Sequence, residues 1–227
     1  MECCKEVGDT IDLTGIPCES SLMDQGLQAQ LSGIFGKMEG SVTMKAVVDL
    51  SRDKDQEMAA FLKAVSALSQ KLDLELYGPE EASMVPELNT AWLPVTGLYK
   101  DNIYGRAAFH GVPGGKAINS FVLAIYNLAG PGQAVPGGLK KKIDKLAQKT
   151  NIKICVSLAC HHCPVVVAAC QRIAILNPNI EAEMIDAALY EDLVAKYDIK
   201  RIPMMIFNDS EIHMGGKEIE EIVTLLK

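Results

Sequence analysis

The sequence predicts an α/β protein made of two similar halves, each a mixed central sheet flanked by helices. Three observations carry this expectation. Strand-type and helix-type hydrophobic periods alternate along the chain. The same order of elements occurs twice. Gly, Pro and Asn-Asp punctuation falls at matching places in both halves.

In the first half, residues 41–50 (SVTMKAVVDL) are apolar and β-branched and read as a strand. Residues 56–71 place Met58, Phe61, Leu62, Val65 and Leu68 at helical spacing. A second strand over 72–77 stops at Gly78-Pro79. Segments 91–98 and 105–109 form an expected strand pair turning at Lys100-Asp101-Asn102, and Gly114-Gly115 precedes a helix over 117–128. The second half repeats the order. A basic-faced helix is expected over 139–149, a strand over 151–158, and a helix after Cys160 that Asn177-Pro178 ends. Then come a strand over 180–186, a short helix over 191–197, a strand pair (204–207, 211–214) turning at Asn208-Asp209, and a final helix over 219–226.

Composition narrows the function classes. Of 227 residues, 48% are hydrophobic and 22% charged, which excludes disordered and collagen-like chains. A net charge of -7 argues against a nucleic-acid or anionic-membrane surface, since both need an excess of Lys and Arg. No apolar run reaches the ~20 residues of a membrane span, and the N-terminus has no signal-peptide pattern. A reducing cytoplasm is the expected compartment. The seven cysteines cluster as Cys3, Cys4 and Cys18, then Cys155, Cys160, Cys163 and Cys170, a spacing for redox or metal chemistry and not for structural staples.

The chemical signal is Cys160-His161-His162-Cys163 at a strand-to-helix junction. Cys160 is expected where the helix begins, with Cys163 and Pro164 in its first turn. Unpaired N–H groups and the dipole at a helix start stabilise a thiolate, which makes Cys160 the nucleophile. The spacing lets Cys163 resolve the mixed disulfide. An imidazolium at His161 or His162 would favour the thiolate and raise the reduction potential; solvent exposure with little effect is the plain alternative. Ile202-Pro203, before an apolar strand, suggests a cis bond facing the dithiol, with backbone open to an extended partner chain and metal kept off the thiols.

A metal site is the rival for the same residues. Four adjacent side chains on one turn do not converge on a tetrahedral ion, and Cys155, Cys170, His110 and His213 supply no second ligand pair, so no metal is expected. Cys155 and Cys170 read as buried hydrophobes. Cys3, Cys4 and Cys18 lie in a weakly patterned lead with no assigned role.

The runs SLACHHCPVVV (157–167), LNPNI (176–180) and MID (184–186) closely resemble the N-terminal tandem thioredoxin-fold domain of the alkyl hydroperoxide reductase flavoprotein. The runs FHGVPGG (109–115) and SFVLA (120–124) match the inactive first fold of that domain. The resemblance covers 29–227. It implies a lead at 1–28, a thioredoxin-like fold without a Cys-x-x-Cys at 29–133, and a redox-active one at 134–227. It also implies an electron relay from a flavoprotein, thioredoxin-reductase-like, to the disulfide of a peroxiredoxin. The family's chain continues into flavin- and nicotinamide-binding domains, but no Gly-x-Gly-x-x-Gly fingerprint occurs here. The chain is therefore expected to hold no cofactor beyond the Cys160–Cys163 disulfide, its reductase acting in trans. The family often carries a glutamate near the dithiol at the position of Ala117, and alanine accepts no proton. Two other readings stay open: a broader protein disulfide reductase or isomerase, and a redox-sensing or metal-binding module. Archaeal two-fold disulfide oxidoreductases usually carry a Cys-x-x-Cys in each half, whereas no cysteine falls between Glu19 and Ile154 here.

Overall fold

Strand-forming runs of Val, Met, Ala and Leu place β1 (Val42–Val47) and β2 (Leu72–Tyr77) side by side and parallel, joined by α2 (Asp53–Ser66). The structure, a computed structural model, describes residues 11–227. Helix α2 starts ahead of its apolar stripe, with Asp53 and Asp55 in the first turn, where carboxylates suit the helix dipole. Helix α1 (Gln25–Phe35) is an addition to the predicted elements. Its apolar residues are few, but the Asp24 carboxylate accepts from the Leu27 N–H at 2.8 Å, and Leu31 and Phe35 are buried.

Strands β3 (Val95–Lys100) and β4 (Ile103–His110) form a hairpin whose turn holds Asp101 and Asn102 at φ 52° and 59°. These are side chains that tolerate the left-handed region. β3 begins at Val95, after Pro94, and not at 91, since proline supplies no N–H to a ladder. Helix α3 (Ile118–Ala129) closes the first half. The second half runs α4 (Gly137–Asp144), β5 (Thr150–Val156), α5 (Cys163–Leu176), β6 (Ile180–Asp186), α6 (Glu191–Lys196), β7 (Met204–Phe207), β8 (Glu211–Met214) and α7 (Ile219–Leu225). Helix α4 is shorter than its basic stretch; it ends once Leu139 and Ile143 are buried.

The strand order is β2-β1-β3-β4-β6-β5-β7-β8. Each half is the same four-stranded mixed unit, but the two sheets are fused into one, which the sequence did not predict. The join is a parallel ladder pairing Ala107–His110 with Ala182–Ile185. Three alanines (Ala107, Ala108, Ala182) there have almost no exposed surface. His110 bridges the join: one ring nitrogen lies 2.8 Å from the Glu183 carboxylate and the other 2.8 Å from the Trp92 carbonyl. Burial alone would raise the Glu183 carboxyl. The His110 contact, with help from Asn151 and Lys153, outweighs it and holds the carboxyl below its ordinary value. Phe61, Phe109 and Phe121 lie in the main core, with the Phe121 ring 5.8 Å from Phe61 and 5.0 Å from Phe109. No helix among the described residues is long and apolar enough to cross a membrane.

Candidate active site

Strand β5 delivers the chain to a short loop, 157–162, from which α5 departs. The Cys160 N–H donates to the Ser157 carbonyl at 3.0 Å, which closes the loop. Cys160 and Cys163 are joined in a disulfide, their Cα atoms 5.5 Å apart. The helix begins at Cys163, with His162 as its N-cap, so Cys160 precedes the helix and does not open it as the sequence suggested. Pro164, which has no N–H to leave unpaired, fixes that start one position earlier. The amide at the helix start still reaches Cys160. The Cys163 N–H donates to Cys160 Sγ at 3.2 Å, so a free amide of the helix end points at the sulfur.

The two sulfurs differ in access. Cys163 is 2% exposed, whereas Cys160 is only partly buried. His161 and His162 are both exposed. The Ile202–Pro203 peptide is cis. Pro203 immediately precedes Met204, the partner of Cys155 in the β5–β7 ladder, which puts Pro203 at the end of the sheet where the dithiol loop emerges.

The first half contributes to this site. Gly115 has φ +56°, and a Cβ there would sit 3.0 Å from the Leu158 carbonyl. The next residue, Lys116, donates its N–H to that same carbonyl at 3.0 Å. Ala117 is buried and lines a small pocket with Ser120, Val156, Cys163 and Met184, beside the buried cysteine of the pair.

The remaining cysteines lie elsewhere. Cys155 and Cys170 are free and buried, and burial pushes the Cys155 thiol up to about 12 and Cys170 higher still. Cys18 is disulfide-bonded; Cys3 and Cys4 lie outside the described residues. His110 is committed to the sheet junction, and His213 lies 2.8 Å from Glu211. Among the described residues, no three His, Cys, Asp or Glu side chains converge as a metal site.

A second constellation escaped the sequence reading. Val47 pairs with Val95, the residue after Pro94, just as Cys155 pairs with Met204 after Pro203. Counting forward equally from Val47 and from Cys155 sets Arg52 opposite Cys160 and Asp55 opposite Cys163. Arg52 Nε lies 3.4 Å from Asp55 Oδ1, and Arg52 Nη2 donates to the Leu93 carbonyl at 3.2 Å. Asp55 is fully buried, and burial raises its carboxyl above the ordinary range against the Asp49 N–H bond and the Arg52 charge. The first fold thus carries an ion pair where the second carries its disulfide. The proline before β3 was the available signal.

Fold and site define a thioredoxin-fold thiol–disulfide oxidoreductase whose Cys-x-x-Cys lies in its second fold. The thioredoxin domain family model matches residues 150–227. The solved N-terminal tandem domain of alkylhydroperoxide reductase AhpF from Enterococcus faecalis (V583) is 36% identical, with a TM-score of 0.85, and the match covers 90% of this chain and 100% of that one. The chain belongs to the family of AhpF N-terminal tandem thioredoxin-fold domains. The alkyl hydroperoxide reductase AhpF of Pseudomonas aeruginosa is 28% identical over 89% of this chain, and a Bacillus subtilis protein named NADH dehydrogenase is 27% identical over the same share. The chain spans 37% of the length of each of these two relatives. A protein disulfide oxidoreductase from Aeropyrum pernix K1 shares the fold, with a TM-score of 0.80 at 17% identity over 96% of this chain and 94% of that one.

Proposed function

We propose that the chain relays two electrons from a flavoprotein disulfide reductase acting in trans to the disulfide of a peroxiredoxin. Cys160 as thiolate attacks one partner sulfur, and the other partner sulfur leaves as a thiolate. Cys163 as thiolate then attacks Cys160 Sγ, closing the Cys160–Cys163 disulfide and releasing the second partner thiolate. Exchange with the reduced dithiol of the reductase restores the starting state. Flavin and nicotinamide are held by that reductase, and this chain's own redox group is its disulfide.

The observation that carries this reading is the Cys163 N–H on Cys160 Sγ, combined with a buried Cys163 and an accessible Cys160. That arrangement gives one sulfur for attack on a partner and one for intramolecular resolution. His161 and His162 tune the thiolate, and Ile202 and Pro203 receive the partner's extended chain. Residues 1–28 are a lead, 29–133 the redox-silent fold and 134–227 the active one, at work in a reducing cytoplasm.

The test is capture. A Cys163→Ser variant incubated with an oxidised two-cysteine peroxiredoxin should accumulate a mixed disulfide through Cys160, identified by mass spectrometry of the linked peptides. Absence of any Cys160-linked peroxiredoxin under conditions where the variant reacts with a small aromatic disulfide would contradict the acceptor.

A further inference from the structure

The two folds repeat each other strand for strand, and the repeat leaves one position unfilled. Gly111 at φ 89° donates its N–H to the Pro94 carbonyl at 3.0 Å; Gly215 at φ 85° donates to the Pro203 carbonyl at 2.9 Å. With Val95 opposite His110 and Met204 opposite Met214, residues 211–214 of β8 stand where 107–110 of β4 stand. In the first fold that edge is covered by the parallel strand β6. In the second it is the end of the sheet among the described residues. Ile212 and Met214 are 42% and 52% exposed, while their counterparts Ala108 and His110 are buried. An open edge with two exposed apolar side chains is a ready template for another strand.

We infer that β8 is a docking edge for the peroxiredoxin that accepts the relay's electrons, whose strand adds parallel to it as β6 adds to β4. This rests on the relay reading above and names how its partner binds. At the seam between the folds, the segment after β6 turns back onto the first fold's proline: Tyr190 donates its hydroxyl to the Pro94 carbonyl at 3.4 Å, and Trp92 donates to Asp192 at 3.3 Å. The same geometry at β8 brings the segment after the partner's strand to Pro203 and the dithiol. The partner class is therefore a protein whose reacting cysteine lies just beyond an accessible strand. A second copy of this chain fits less well. The counterpart of β6 is β2, whose apolar side chains are buried and whose Leu76 carbonyl already accepts from the Ile11 N–H at 3.4 Å.

The test compares wild type with Ile212→Lys/Met214→Lys, using an oxidised two-cysteine peroxiredoxin and a small aromatic disulfide as substrates. Expected are a tenfold or greater loss of kcat/KM on the peroxiredoxin, carried by KM, and an unchanged rate on the small disulfide. An unchanged rate on both overturns the docking edge alone. Wild type that reduces only the small disulfide overturns the relay reading, and this inference with it. Wild type that sediments as a dimer, made monomeric by the substitutions, assigns the edge to a second copy and overturns it too. If the variant fails to fold, amide exchange decides. Residues 211–214 should exchange more slowly in the Cys163→Ser mixed disulfide with the peroxiredoxin than in the free protein, and equal exchange refutes the proposal.

Discussion

Arg52 and Asp55 are held 3.4 Å apart in the first fold at the positions that Cys160 and Cys163 occupy in the second. The pattern of access is kept with the positions: Arg52 is exposed and Asp55 buried, as Cys160 is partly exposed and Cys163 buried. The site frame therefore persists in the first fold, and an electrostatic pair has taken the place of redox chemistry.

The pair has a pH signature. Because burial raises the Asp55 carboxyl in the folded state, the folded chain binds a proton that the unfolded chain has released. Its contribution to stability is complete at low pH and is lost as pH rises through the raised value. Urea unfolding across pH 4 to 7 should show the wild type losing stability relative to Asp55→Asn over that window. A difference that grows as pH falls in favour of Asp55→Asn would reverse the sign and contradict the burial argument.

Gly115 couples the folds at the dithiol loop. Its φ of +56° strains any other side chain, and a Cβ there would press on the Leu158 carbonyl at 3.0 Å. Gly115→Ala should destabilise by about 1–2 kcal/mol and slow disulfide exchange severalfold by shifting the loop that carries Cys160. A chemical denaturation curve and the exchange rate with a small disulfide check both. Wild-type values for both would show that the contact does not set the loop.

Ala117, from the first fold, lines the small pocket beside Cys163. Ala117→Glu would put a carboxylate into a buried pocket beside Cys163. The expected outcome is a loss of roughly 2 kcal/mol or more of stability. The pH–rate profile for resolution should also gain an ionisation, with Cys163 deprotonating at higher pH beside a like charge. An unaltered profile would mean that the new carboxylate does not reach the sulfur.

Much of this was legible in the sequence because the signals are local. The 72–77 and 180–186 strands, the Asn208-Asp209 turn and the Cys-x-x-Cys each declare themselves within a few residues. The fused sheet did not, because the β4–β6 ladder joins residues far apart, and alanines at its centre carry no strand signal of their own. Helix α1 has too few apolar residues to be read without its Asp24 cap. Arg52 and Asp55 look like an ordinary helix start until strand register sets them opposite the cysteines. The relation of Cys160 to its helix turned on where Pro164 fixes the first turn, a matter of a few residues that periodicity does not resolve.

Whether Cys160 is the exchanging sulfur is decided by the turnover of wild type against Cys160→Ser in reduction of insulin and of an oxidised peroxiredoxin. Cys160→Ser should lose all activity on both substrates. Full activity in that variant would contradict the assignment of Cys160 as the attacking group.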